Sequence, residues 1–340
     1  MSKTRFVAVL IAAVALLSGC VSRTDSSGAA HAPATVALSE LSGLTLQVGD
    51  QKGNTEALLR AAGALDNLPY QVAFSTFTSG PPQVEAATAG KIDFAITGNT
   101  PPIFGTASNA KVKVVSAYDG GGTGDEILVH ADPPIKTVAD LRGKTIVVGK
   151  GSSAHGNILG QLDKAGVSVS DVELVFLQPA DALSAFTQRQ ADAWATWDPY
   201  TAQAEAQLPV RSIASAKGVT NGYWFGVASD QALADPKRNT ALQDLLVRFE
   251  RAVRWAQEHP QQWSDSYAAA VGPDPKVAAV AQGRSLRLPT ELDDEIVASE
   301  QELADLLAAS GQIASPAPKF DNWVDRRYND ALRPLFVSSN

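Results

Sequence analysis

The chain has 340 residues, 45% hydrophobic and 19% charged, with a formal net charge of −8. That length suits about two ordinary domains. The acidic balance argues against a nucleic-acid partner, and it means that an anionic ligand must be attracted by local groups rather than by the overall charge.

At the start, Lys3 and Arg5 precede an apolar run over 6–17 that is too short to span a bilayer comfortably, followed by the small residues Ser18 and Gly19. This pattern predicts a secretory signal over 1–19 rather than a membrane anchor. The stretch "LSGC" at 17–20 resembles a bacterial lipobox, which implies cleavage before Cys20 and its lipidation. Cys20 is the only cysteine, so a disulfide within the chain is impossible. Residues 20–38, rich in Ser, Thr, Gly and Ala, read as a flexible tether.

Next comes a repeat. "TLQVG" at 45–49 resembles "TIVVG" at 145–149, and each precedes a polar turn and a helical pattern. Thr88, Asp93, Thr97 and Asn99 recur in spacing as Thr187, Asp192, Thr196 and Asp198. Two similar α/β lobes are predicted. Ligands of open α/β sheets bind beyond the carboxyl ends of the strands. That rule nominates the loops 50–54, 75–81, 97–102, 149–155 and 196–200 as the lining of one cleft. Strand-like runs at 126–130 and 223–228 are the predicted crossing segments, and element ends of this kind serve as hinges. After Asp235 the apolar stripe of Leu242, Leu245, Leu246, Phe249, Val253 and Ala256 predicts a helix, and 291–309 predicts another. Both are read as packing elements.

The most informative loop is "GKGSSAHG" at 149–156. A helix N-terminus leaves backbone N–H groups unpaired and carries partial positive charge, so it is a ready anion site. Ser152 and Ser153 add hydroxyls, and Gly151 lets a ligand approach the backbone. A serine there also caps helices; binding is the preferred reading. The loop fits G-x-G-x-x-A too, but no acidic residue ends the next strand, as a dinucleotide site needs. In "GNTPP" and "WDPY", Asn99, Thr100 and Asp198 read as helix caps, with Asn99 and Thr100 also available as donors. Trp197 and Tyr200 either wall an apolar pocket or pack the lobe. One of Tyr223, Trp224 and Phe225 is expected to face the cleft. "DGGGTGDE" at 119–126 is read as a flexible entry without chemistry. The histidines have no metal-ligand spacing and there is no G-x-S-x-G elbow, so neither a metal site nor a serine nucleophile is predicted.

Together "QKGN", "TFTSGPPQVEA", "AGKIDFAITGNTPPIF", "KGSSAH", "PADALSAF", "DAWATWDPY" and the tail "SEQELADLLAASGQI" resemble the substrate-binding proteins of ABC importers for aliphatic sulfonates, taurine and nitrate. The resemblance covers nearly everything after the tether. It is strongest to the aliphatic sulfonate branch, through "KGSSAH" and "WDPY". Asn99 departs from it, since many members carry Asp there. The resemblance implies an α/β, two-lobed type II periplasmic-binding-protein fold with a hinge and an interlobe cleft. Lobe 1 would comprise 39–127 and 224–340, and lobe 2 would comprise 128–223. It implies a monomeric, extracytoplasmic, lipid-anchored binder without cofactor. Such a binder hands a small organic anion to a membrane permease and its ATPase. Gly151, Ser152, Ser153 and Asn99 would cradle a sulfonate, with Gly98, Thr100, Ala154 and His155 beside them. Gln51, Thr78 and Ser79 would complete the polar set. Trp197, Tyr200, Tyr223 and Trp224 would contact the tail, with Asp198 beside them. The rivals are a binder of nitrate or of a cationic or pyrimidine precursor, a receptor-docking sensor, and a desulfinase of related fold. The last requires a catalytic cysteine, and Cys20 lies ahead of the tether.

Overall fold

The computed structural model describes residues 33–132, 135–285 and 287–336. The predicted signal, Cys20 and most of the tether lie outside them. The first lobe opens with β1 (Thr45–Gln51), α1 (Asn54–Ala61), β2 (Gln71–Phe77), α2 (Gly80–Thr88), β3 (Phe94–Gly98), α3 (Thr100–Ala107) and β4 (Val112–Asp119). The chain then builds β5 (Glu126–His130), β6 (Thr145–Val148), α4 (Ser153–Lys164), β7 (Glu173–Phe176), α5 (Pro179–Thr187), β8 (Ala193–Thr196), α6 (Tyr200–Gln207) and β9 (Val210–Ser215). It returns through β10 (Tyr223–Ser229), α7 (Asp230–Ala234), α8 (Pro236–Glu258), α9 (Pro260–Val271), α10 (Pro275–Arg284), β11 (Leu288–Thr290) and α11 (Asp294–Ala309).

These strands form two mixed sheets, ordered β11-β4-β10-β3-β1-β2 and β7-β6-β8-β5-β9. The inner order is the same in both. A central strand is flanked by parallel neighbours, and one antiparallel strand arrives from the other half of the chain. The runs at 126–130 and 223–228, expected as crossings, are those antiparallel strands. The links between the sheets are the segments just outside them, 120–125 and 216–222.

The repeat is real in the backbone, but its register differs from the sequence match. Asp93 clips β1 by donating its N–H to the Gln47 carbonyl and accepting the Gln47 N–H on its carboxylate, both at 2.7 Å. Asp192 does the same to Thr145, at 2.9 and 3.0 Å. Gln47 therefore corresponds to Thr145, and β1 slips two residues against the "TLQVG"/"TIVVG" match. The equivalent turns are Lys52-Gly53 and Lys150-Gly151, whose glycines share left-handed φ values of 73° and 71°.

The tail helices follow from their signals. Asp235 caps α8 by accepting the N–H groups of Lys237 and Arg238, and its predicted stripe is buried at Leu242, Leu245, Leu246, Phe249 and Val253. α8 packs on lobe 1, α10 reaches α6 of lobe 2, and α11 packs on α3 and α4.

Candidate functional site

The α4 N-terminus lies at the junction of the two sheets. Ser152 is its cap: the hydroxyl donates to the Gly149 carbonyl at 2.7 Å and accepts the His155 N–H at 3.3 Å. Its hydroxyl is thus committed to the turn rather than open to a ligand. His155 is fully buried; its Nδ1 accepts the Gly151 N–H at 3.2 Å, so the ring proton belongs on Nε2, which has no partner. Burial, aided by the Lys150 charge, lowers His155 to about 4, so it is neutral at physiological pH. The Ala154 side chain is buried in the core. Among the described residues, the N–H groups of Ser153 and Ala154 have no hydrogen-bond partner. These two donors and the Ser153 hydroxyl are what the turn offers to a ligand.

Ser153 lines a small cavity of about 20 Å³, shared with Gly98, Asn99, Thr123, Asp125, Tyr223 and Trp224. A methyl group at Gly98 would lie 3.0 Å from the Ser153 Cβ, so glycine there permits the close approach of the lobes. Asn99 is buried; its Nδ2 donates to Asn221 Oδ1 at 2.8 Å and its Oδ1 accepts the Thr100 hydroxyl at 3.0 Å. Asn221 in turn donates to Glu300 at 2.6 Å. Asn99 is therefore oriented by a chain running into α11. Thr100 itself packs against Gly156 of α4.

The remaining expected residues do other work. The Tyr200 hydroxyl donates to the Thr78 carbonyl at 3.1 Å, and the Thr78 hydroxyl donates to Gln178 at 3.1 Å, so both join the lobes. Trp197 meets Tyr200 edge-on at 5.5 Å, and its indole N–H is buried without a partner. Ser79 is a buried N-cap residue whose side chain caps nothing, and Gln51 ends β1 part-buried. Asp198, expected as the helix cap, lies one residue ahead of the cap position at Pro199, and its Oδ1 accepts the Ala202 N–H at 3.0 Å. It also takes two hydrogen bonds from Arg284 of α10, at 2.9 and 3.1 Å. Burial pushes Asp198 up to about 6, against the pull of that guanidinium.

Sequence reasoning passed over three charged residues. Asp125 lies in the loop read as having no chemistry, yet it lines the cavity together with Ser153. Burial, with the nearby charges of Asp198 and Glu126, pushes it up to about 7. The composition of "DGGGTGDE" gave no warning, because the loop's position is set by the sheet crossing. Arg284 and Arg287 precede β11, far along the chain, and only the fold brings them near the junction.

With this geometry in place, comparison with known proteins finds the family pattern described as NMT1/THI5 like over residues 77–263. An Escherichia coli (strain K12) protein named as an aliphatic sulfonates-binding protein is 33% identical over 265 residues, covering 77% of this chain and 82% of that one. A Bacillus subtilis (strain 168) protein of the same name is 30% identical over 298 residues, covering 87% of each. The solved alkanesulfonate-binding protein from Xanthomonas axonopodis pv. citri, bound to MOPS, matches with a TM-score of 0.77 at 27% identity, over 84% of this chain and 99% of that one.

Proposed function

This chain belongs to the NMT1/THI5 like family of ABC-importer substrate-binding proteins, and on that footing we propose that its cargo is an aliphatic sulfonate held at the α4 N-terminus between the lobes. The observation that carries the proposal is the pair of N–H groups on Ser153 and Ala154, unpartnered among the described residues, beside the Ser153 hydroxyl and a small cavity. A sulfonate is a weak base, so neutral donors and a helix end suffice to hold it. The sulfonate names of the relatives support the same cargo class. Tyr223 and Trp224 stand where the organic tail would lie. Lobe opening admits the ligand, and closure presents it to the permease and its ATPase. Cys20 carries the lipid that keeps the binder at the outer face of the cytoplasmic membrane; the replacement Cys20→Ala should release it from the membrane fraction.

Asp125 favours a second reading within the same class. A carboxylate beside the sulfonate cradle would pair with an ammonium, as in a taurine-like aminosulfonate. A thermal-shift panel on the fragment after Cys20 separates the readings. A ligand at about 100 times its Kd stabilises the native state by about 2.7 kcal/mol, which is readily seen. Ethanesulfonate and longer alkanesulfonates should shift the transition, and a larger shift with taurine assigns Asp125 to the amine. A shift with nitrate, pyrimidines or cations alone would sink the sulfonate reading. The desulfinase alternative has no nucleophile, since the only cysteine is Cys20.

A further inference from the structure

Across Trp224 from the interlobe cavity lies a larger pocket of about 410 Å³, between α1, α8, α9 and α10. Leu58, Val253 and Trp263 supply apolar wall, and Asn54, Gln282 and Arg287 supply a polar inner end. The Arg287 guanidinium lies over the Trp224 ring, 4.5 Å from its centroid. Its Nη1 donates to Asn54 Oδ1 at 2.6 Å, and Asn54 Nδ2 donates to Gln282 at 3.3 Å. Its Nε is shielded from solvent and has no partner.

Among the described residues Arg287 forms no ion pair. Asp50, the carboxylate that most affects it, spends its oxygens on the N–H groups of Thr55 and Glu56. Burial lowers Arg287 to about 10, which still leaves it protonated at neutral pH. A shielded cation needs a counter-ion and satisfied donors, or it costs stability. Stacking on an indole offsets part of that cost but leaves the Nε–H unmet.

We propose that this pocket is a second ligand site, for a singly charged oxoanion with an apolar tail, such as a medium-chain carboxylate. The head takes the Arg287 guanidinium, whose one hydrogen bond among the described residues goes to Asn54, together with the amide of Asn54, and the tail lies along Leu58, Val253 and Trp263. All the walls belong to lobe 1, so binding here does not require the lobes to close. Trp224 is shared between the two sites, with its ring under Arg287 and its edge on the interlobe cavity.

The test uses hexanoate and calorimetry on the fragment after Cys20, with ethanesulfonate as the probe of the interlobe site. Wild type should bind one hexanoate. Arg287→Gln should weaken it by at least about tenfold, the loss expected for a hydrogen bond to a charged group. Ala256→Phe, which fills the pocket and keeps the arginine, should do the same, so the test survives if the arginine variant fails to fold. Ser153→Ala should keep hexanoate binding while weakening ethanesulfonate. No hexanoate binding by wild type overturns the proposal. So does unchanged binding by Ala256→Phe, or loss of hexanoate in Ser153→Ala, which would place it in the interlobe site. Failure of ethanesulfonate alone would instead count against the sulfonate reading and leave this pocket standing.

Discussion

The two lobes share a strand order, a clipping aspartate and a Lys-Gly turn, yet their equivalent helix ends are chemically opposite. In lobe 1 the α1 end is already occupied. Asp50, fully buried at the end of β1, accepts the N–H groups of Thr55 and Glu56 at 2.9 and 3.2 Å. In the corrected register its counterpart in lobe 2 is Val148, and the counterparts of Thr55 and Glu56 are Ser153 and Ala154. Those two N–H groups have no partner among the described residues. One lobe thus pairs its helix-end N–H groups internally, and the other leaves them unpaired among the described residues. A second contrast follows from the repeat itself. Asn99 of lobe 1 is held by neutral hydrogen bonds, whereas its counterpart Asp198 is held by Arg284. The shared backbone supplies two equivalent helix ends, and single side chains decide which is paired.

The largest expected effect comes from copying lobe 1 into lobe 2. Val148→Asp should place a carboxylate on the Ser153 and Ala154 N–H groups. Sulfonate affinity should then fall by at least about a hundredfold, the scale of losing two charge-assisted hydrogen bonds. Titration calorimetry on a variant with native circular dichroism checks it, and unchanged affinity would remove the α4 end as the seat. Next in size is Arg284→Met. Asp198 is buried, so removing its cation leaves a shielded carboxylate, at a cost of about 2 kcal/mol. Partial exposure of Arg284 and protonation of Asp198 keep that below the full burial penalty. Urea denaturation measures it, and no change would mean that the α10–α6 contact is idle. Asp50→Asn should cost about 1 kcal/mol, the scale of a weakened cap, without altering sulfonate affinity. A loss of affinity there would show that the α1 end also takes part.

Much of this was legible in sequence. The apolar runs gave the strands, the Thr/Asp spacing gave the two lobes, and "GKGSSAHG" gave the turn into the α4 N-terminus. The register of β1 was not legible. A slip of two residues keeps every side chain on its own face of a strand, so "TLQVG" and "TIVVG" align equally well by pattern. That slip hid Asp50 as the counterpart of Val148. The division of labour between Ser152 and Ser153 was also hidden, because either hydroxyl can cap, and only the backbone path assigns the cap to Ser152. Asp125, Arg284 and Arg287 act through contacts distant in sequence, and no local periodicity reports those.

The last expected effect concerns Asp125, which lines the cavity beside the α4 end. Its carboxyl is raised from 3.8 to about 7, first by burial and then by Asp198 and Glu126, while the Ser153 hydroxyl opposes the shift. Among the described residues, Arg284 engages Asp198 and no cation contacts Asp125. Between those two values the folded state holds more protons than the unfolded chain, so this group's stabilising contribution is fully present below 3.8 and lost as pH rises through about 7. A bound sulfonate favours the protonated, uncharged form still more. Ethanesulfonate affinity should therefore weaken between about pH 6 and pH 8, with a limiting slope of about tenfold per unit above the pKa. Asp125→Asn should bind with the acid-side affinity throughout and show no slope from this group. Asp198 titrates near 6, but it is present in both proteins, so the difference between the two profiles isolates Asp125. If taurine is the cargo, the sign reverses for taurine alone. Ionised Asp125 then attracts the ammonium, affinity rises with pH, and Asp125→Asn loses affinity for taurine but not for ethanesulfonate. Parallel flat profiles for both ligands would place the cargo away from Asp125, and with it away from the Ser153 end of α4.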